Sequence, residues 1–278
     1  MKKINRRSFL AAAGLTVAAL ALTACGGSAS STASSAASSA ASSEVASTSA
    51  AAELTTVEAG KLTMATNAAF PPYEMTTDAG EFEGIDIDTA KAIAEKLGLE
   101  LQIDDMDFDA ALLSVQQGKA DIVMAGVTVT DERKAVMDFS DSYATGIQSI
   151  IVPEGSDITS PDDLAGKKIG TQRGTTGYIY CSDDFGDDAV VAYDNGLTAV
   201  QALNNGQVDA VVIDNAPAKE FVAANPGLVI LETSYAEEDY AIGLAKGSSL
   251  EDAVNAALEE LKADGTLQSI VDKYITAE

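Results

Sequence analysis

From Lys61 to Ile275 the chain alternates two spacings of apolar residues. KLTMAT (61–66) predicts a short strand. DTAKAIAEKLG (88–98) sets Ile93 and Leu97 on one helical face, with Asp88 as its cap and Gly98 as its stop. LELQID (99–104) alternates as a strand does. ALLSVQQG (111–118) predicts a helix, and ADIVMAG (120–126) a buried strand. This order predicts an α/β fold of mostly parallel sheets with helices on both faces.

One phrase returns. VQQGKADIVM (115–124) and LNNGQVDAVV (203–212) each end a helix in Gly and open an apolar strand after an Asp. The echo predicts two similar lobes. The β-like runs GIQSIIVPEG (146–155) and DYAIGLAKG (239–247) are placed to be paired crossover strands. The helical segments LEDAVNAALEELKADG and TLQSIVDKYI would return to the first lobe. The expected division is 57–146 for the first part of lobe one, 147–238 for lobe two, and 239–278 for the return.

The 278 residues include 17 basic and 43 acidic side chains, a net charge of −26. Such a field repels a phosphate backbone and excludes nucleic acid as a partner. There is no histidine, which removes Ser-His-Asp and Cys-His catalysis and histidine-rich metal sites. No acidic spacing matches an EF-hand loop, and GKKIGTQRGTT lacks the ending of a phosphate-binding loop. No metal, cofactor or catalytic residue is expected.

Residues 1–24 join a basic start (Lys2, Lys3, Arg6, Arg7) to an uncharged stretch from Phe9. It is short for a membrane span, which needs about 20 apolar residues. Leu22-Thr23-Ala24-Cys25 resembles a bacterial lipobox, so 1–24 is expected to be a signal peptide and Cys25 the lipidated residue. NRRSFL also resembles a twin-arginine signal. Residues 25–56 then form a Ser/Ala-rich tether, reaching roughly 30 Å if flexible. That leaves Cys181 without a partner cysteine, and no basic neighbour activates it.

A ligand in such a fold sits beyond the carboxyl ends of parallel strands, between two lobes. Several polar residues fall there. Arg133 offers a planar fork suited to a carboxylate; it would equally serve as a surface helix residue paired with an acid. Thr128 adds a donor. The RGTTG loop (173–177) supplies N–H groups at a helix start. Asp214, with a carbonyl such as that of Ala125, suits an ammonium; it would equally cap the helix through APAKEF. Phe70, Tyr73 and Phe108 could each be core. A cationic subsite beside an anionic one describes an α-amino acid zwitterion.

The phrases TNAAFPPYE (66–74), GEFEGIDIDTAKAIAEKLG (80–98), ADIVMAGVTVTDERK (120–134), DFSDSY (138–143), GTTG (174–177), VDAVVIDN (208–215) and ADGTLQSIVDKY (263–274) together resemble the family 3 extracellular solute-binding proteins, especially glutamine, histidine and arginine binders. The resemblance implies a two-lobed, periplasmic-binding-protein-like clamp of type II, joined by two crossover strands. It implies that Arg133 grips an α-carboxylate, helped by Thr128 and by amides of Thr175 and Thr176. Asp214 would hold the α-ammonium, helped by the Gly126 region. Phe70 and Phe108 would sandwich the side chain, and Asn67 and Gln172 would touch its far end. Binders of cationic side chains in this family often carry a carboxylate where Asn67 stands; here the amide favours a polar, uncharged amino acid such as glutamine. The alternatives are a cationic amino acid, an acidic one if Arg173 turns inward, and cystine. The implied protein is a monomer, lipid-anchored at the outer face of the cytoplasmic membrane, that serves an ABC transporter permease. Competing classes are a small-carboxylate dehydratase on the same fold and the sensor domain of a receptor.

Overall fold

The structure, a computed structural model, describes residues 54–275. The leader, the lipobox Cys25 and the tether up to residue 53 lie outside the described residues.

In chain order the strands are β1 (Lys61–Thr66), β2 (Ala69–Phe70), β3 (Glu74–Thr76), β4 (Phe82–Glu83), β5 (Glu100–Asp105), β6 (Ile122–Val123), β7 (Met137–Phe139), β8 (Ala144–Pro153), β9 (Ile169–Gln172), β10 (Val190–Tyr193), β11 (Ala210–Asp214), β12 (Leu228–Ile230), β13 (Ala236–Tyr240) and β14 (Gly243–Ala245). The α-helices are α1 (Ile85–Leu97), α2 (Phe108–Gln116), α3 (Asp131–Lys134), α4 (Thr176–Phe185), α5 (Gly196–Asn204), α6 (Asn215–Ala224), α7 (Glu251–Ala263) and α8 (Thr266–Tyr274).

Two large sheets result, in the orders β5-β1-β6-β14-β7 and β10-β9-β11-β8-β12, with β13 on β8. Each contains a parallel trio, β5-β1-β6 and β10-β9-β11. The remaining pairs are antiparallel. The sheets are therefore mixed, where the sequence suggested mostly parallel ones. The reason is topological: β8 and β14 enter against the direction set by the βαβ units. The chain passes from the first sheet to the second between Phe139 and Ala144 and returns between Tyr240 and Gly243. There β8 and β13 pair antiparallel, with Ala144 opposite Tyr240 and Gln148 opposite Ala236.

The repeated phrase is a structural repeat. Gly118 and Gly206 take left-handed conformations, φ 65° and 66°, just beyond the ends of α2 and α5. Asp121 then accepts from the Thr63 amide at 2.8 Å, and Asp209 from the Lys168 amide at 2.7 Å. Each carboxylate ties the new strand to the start of its parallel neighbour, so β6 and β11 close equivalent trios.

Alternation splits each sheet between two cores. Leu62, Met64, Ile122 and Met124 face α1, α7 and α8, while Ala65, Val123 and Ala125 face α2. In the second sheet Val211 and Ile213 face α5 and α6, and Ala210 and Val212 face Leu164 and Cys181. Burying one such Leu, Ile, Val or Met side chain contributes about 1.5–3 kcal/mol. Val254, Leu258, Leu261 and Leu267 carry the last two helices into the first core.

Two boundaries differ from expectation. The first helix begins at Ile85 after Gly84, and Asp88 does not cap it. Asp88 instead accepts from Lys273 and from the Tyr274 hydroxyl, both at 2.7 Å. The predicted strand 120–126 pairs only over Ile122–Val123, because Gly126 turns the chain with a φ of 55°.

Candidate functional site

The edges of both sheets converge on one cleft. Arg133 lies on the four-residue helix α3, whose cap Thr130 accepts from the Arg133 amide at 3.2 Å. That tight turn folds the side chain back over the lip it follows. Nη1 donates to the Thr128 carbonyl at 2.7 Å and Nη2 to the Gly174 carbonyl at 3.2 Å. The guanidinium lies 5.4 Å from the centroid of the Phe108 ring, a cation–π distance. Arg133 is 8% exposed, and burial pulls its pKa down against the opposing pull of Glu238 and nearby tyrosines. An arginine stays charged regardless. Among the described residues no carboxylate lies within ion-pair distance of it. The alternative of a surface arginine paired with an acid is therefore not realised.

Across the cleft, Thr175 caps the ten-residue helix α4, accepting from the Tyr178 amide at 3.3 Å and donating to the Gln172 carbonyl at 2.8 Å. Thr176 is buried in the first turn, where the helix dipole and spare N–H groups favour an anion. Its hydroxyl lies 3.4 Å from that of Thr128. At the other end of the cleft, Gln172 donates to the Asn67 amide oxygen at 2.9 Å, and Asn67 donates to the Met106 carbonyl at 2.9 Å.

Asp214 ends β11 and does cap α6, accepting from the Ala216 amide at 3.1 Å. Its other oxygen accepts from the Ile147 amide at 2.7 Å. Burial raises its pKa to about 6, against the Tyr240 hydroxyl and these two amides, which favour the ionised form. The capping role and a place in the cleft coexist in one side chain.

Gly126 is required by space as well as by conformation. A Cβ there would lie 2.9 Å from Phe70 and 3.2 Å from Tyr240. Its amide donates to Asp86 at 3.0 Å. Beneath this lip sits an acid pair, Glu74 from β3 and Asp86 from the first turn of α1. Neither Glu74 oxygen has a hydrogen-bond partner. Burial first, then the Asp86 charge, pushes the Glu74 pKa well above the usual carboxylate range. Burial lifts Asp86 to about 6, against the Gly126 amide and the Tyr143 hydroxyl.

Asn67, Phe70, Phe108, Ala125, Gly126, Thr128, Arg133, Gln172, Thr175, Thr176 and Asp214 all line a single cavity. The cavity is tight, about 30 Å³. Arg173 does not join them. It faces outward, 3.8 Å from Asp194, so an inward turn toward an acidic side chain is not what the structure has. Sequence reasoning missed Glu74, Gln148 and Tyr240, which also line the cavity, and Glu238 behind it. Glu238 and Tyr240 occupy alternate positions of β13 and are its two buried side chains. That alternation within AEEDY was the available signal. Among the described residues no cluster of three His, Cys, Asp or Glu could hold a metal ion.

Comparison with known proteins agrees with this geometry. The probable histidine-binding protein of Neisseria gonorrhoeae is 33% identical over 99% of this chain and 98% of its own length. An ancestral arginine-binding protein solved bound to glutamine superposes with a TM-score of 0.75, is 43% identical, and covers 78% of this chain and 99% of that one. An ancestral arginine-binding protein bound to arginine gives 0.74 and 44%, over 78% and 98%. The fold is thus a two-lobed clamp of the kind built by amino-acid-binding proteins, and the relatives are solute-binding proteins rather than enzymes. Residues 62–277 match the model of the bacterial extracellular solute-binding proteins, family 3, and the chain belongs to that family.

Proposed function

We propose that this protein is an extracytoplasmic receptor that closes on one free L-amino acid and delivers it to the permease of an ABC importer. One observation carries the reading: Arg133, a buried cation with no acid partner among the described residues, lines the same cavity as the buried acid Asp214. Burying a charge without a counterion is costly. An α-carboxylate would supply that counterion, and its own α-ammonium would meet Asp214. In this reading Thr128 and the amides of Thr175 and Thr176 assist the carboxylate, while Ala125 and Gly126 lie beside the ammonium. Phe70 and Phe108 flank the side chain. The lobes divide at 57–146, 147–238 and 239–278, and closure bends the two crossover segments.

For the side chain, the neutral amides of Asn67 and Gln172 support a polar, uncharged ligand, glutamine first. Glu238 adds acid near the cavity and favours a cationic side chain as the second reading. Localisation follows from the leader: export, lipidation at Cys25, a tether of residues 25–56, and a monomer held at the outer face of the cytoplasmic membrane. Among the described residues no helix is long and apolar enough to cross a membrane. Calorimetric titration with the twenty amino acids tests the ligand; sole preference for arginine or lysine would replace glutamine with the second reading. Globomycin treatment of expressing cells tests the anchor, which predicts accumulation of an uncleaved precursor; normal processing would remove it.

A further inference from the structure

The crossover strands hold a charge that a glutamine ligand does not use. Glu238, on β13, is 6% exposed. Its Oε2 accepts from the Thr128 hydroxyl at 3.1 Å and from the Gln148 amide group at 3.0 Å. Its Oε1 is buried without a hydrogen-bond partner. Gln148 belongs to the other crossover strand, β8, and its amide oxygen lies 2.8 Å from where a Cβ on Gly177 would stand. Thr128 in turn gives its carbonyl oxygen to Arg133. One polar chain therefore runs from Gln148 through Glu238 and Thr128 to Arg133, behind the carboxylate subsite.

Two consequences follow from the chemistry. Glu238 accepts from the Thr128 hydroxyl and so orients that side chain beside the Thr176 hydroxyl at the cavity wall. And Glu238 opposes the Arg133 charge from behind without pairing with it, so that with Asp214 it makes the cleft more negative. A carboxylate that brings no ammonium then enters a net negative site, and a second carboxylate is repelled.

We propose that Glu238 is a specificity-determining residue: seated between Thr128 and Gln148, it biases the cleft against ligands carrying extra negative charge. It touches no ligand atom in this proposal and acts through the field at the site. The inference rests on the amino-acid reading above. Groups facing it from the packed elements are Thr128, Gln148, Arg133, Tyr240 and Asp214.

The test compares Glu238→Gln with the wild type by calorimetry on L-arginine, L-glutamine and L-glutamate at low ionic strength. Gln keeps an acceptor for Thr128 and Gln148 and removes the charge. The expected result is a shift graded by ligand charge. Glutamate should gain on glutamine by roughly twentyfold, the order set by one unit charge at about 8–10 Å in an effective dielectric near 20, and arginine should lose on glutamine. Thr128→Val is the control: it breaks the same hydrogen bond but keeps the charge, so it should weaken all three ligands alike. A uniform loss in Glu238→Gln, with the ratios unchanged, would make the residue merely structural and overturn the proposal. Wild-type protein that binds no amino acid at all would instead remove the reading on which it rests. If Glu238→Gln fails to fold by circular dichroism, Glu238→Asp serves: a retained charge predicts retained ratios, and a shift toward glutamate would contradict the proposal.

Discussion

Arg133 donates across the cleft to the carbonyl oxygen of Gly174, 3.2 Å away, although one follows a strand of the first sheet and the other a strand of the second. Gln172 to Asn67 and Thr128 to Thr176 cross the same gap. These contacts belong to a clamp with its two jaws together. The side chains that join the jaws, those of Arg133, Gln172, Asn67, Thr128 and Thr176, also line the cavity, so a ligand there and the closure would draw on the same side chains.

Asp214 makes binding depend on pH. Its pKa of about 6 means that it must lose a proton before it can hold an ammonium. The affinity for a zwitterionic amino acid should be flat above pH 7 and fall as pH drops through 6, by up to tenfold per unit. Titrations in buffers of different ionisation enthalpy near pH 6 should show proton release on binding. Affinity that is constant from pH 7.5 to 5 would contradict the role of Asp214.

Stability should run the other way. Glu74, Asp86 and Asp214 all have pKa values raised by burial. Between the unfolded value near 4 and the folded values of about 6 or more, the native state binds more protons than the unfolded chain. Their contribution is therefore fully present below about pH 4 and is lost as pH rises from there through 6. Asp88, Asp138 and Asp264 have lowered values, and theirs is lost only below about pH 4. Self-repulsion of a −26 chain acts in the same sense above pH 5. Without ligand, the midpoint of thermal unfolding should be higher at pH 5 than at pH 8. The reverse order would contradict the assignment of these three acids.

Gly126→Ala should damage fold and site together. It forces an L side chain into a φ of 55°, costing about 1–2 kcal/mol, and drives a methyl group against Phe70 and Tyr240. Denaturant unfolding should show at least that loss, with ligand affinity reduced as well. An unchanged midpoint would mean that the lip is free to move.

Much of this was legible in the sequence, and the reason is locality. KLTMAT is a strand from its first residue to its last because the residues after Lys61 are all buried. The repeated phrase announced the two trios because a left-handed glycine and a strand-opening aspartate are local devices. Arg133 and Asp214 were readable because each lies just past, or at, the end of such a strand. The helix start at Ile85 was not, since its cap is Gly84, which offers no capping side chain, and Asp88 looked the better cap. Gln148, Glu238 and Tyr240 were not, because only the antiparallel pairing of β8 with β13, some ninety residues apart in sequence, brings them to the cleft.

The central claim is that a buried guanidinium waits for an α-carboxylate. Isothermal titration of the wild type and of Arg133→Ala with L-glutamine and with the other free amino acids tests it most directly. The wild type should bind at a one-to-one ratio. Arg133→Ala should lose affinity by at least a hundredfold, as expected when a buried charged partner is removed, while its circular dichroism spectrum stays native. Undiminished affinity in Arg133→Ala, or a wild type indifferent to every amino acid, would contradict the account.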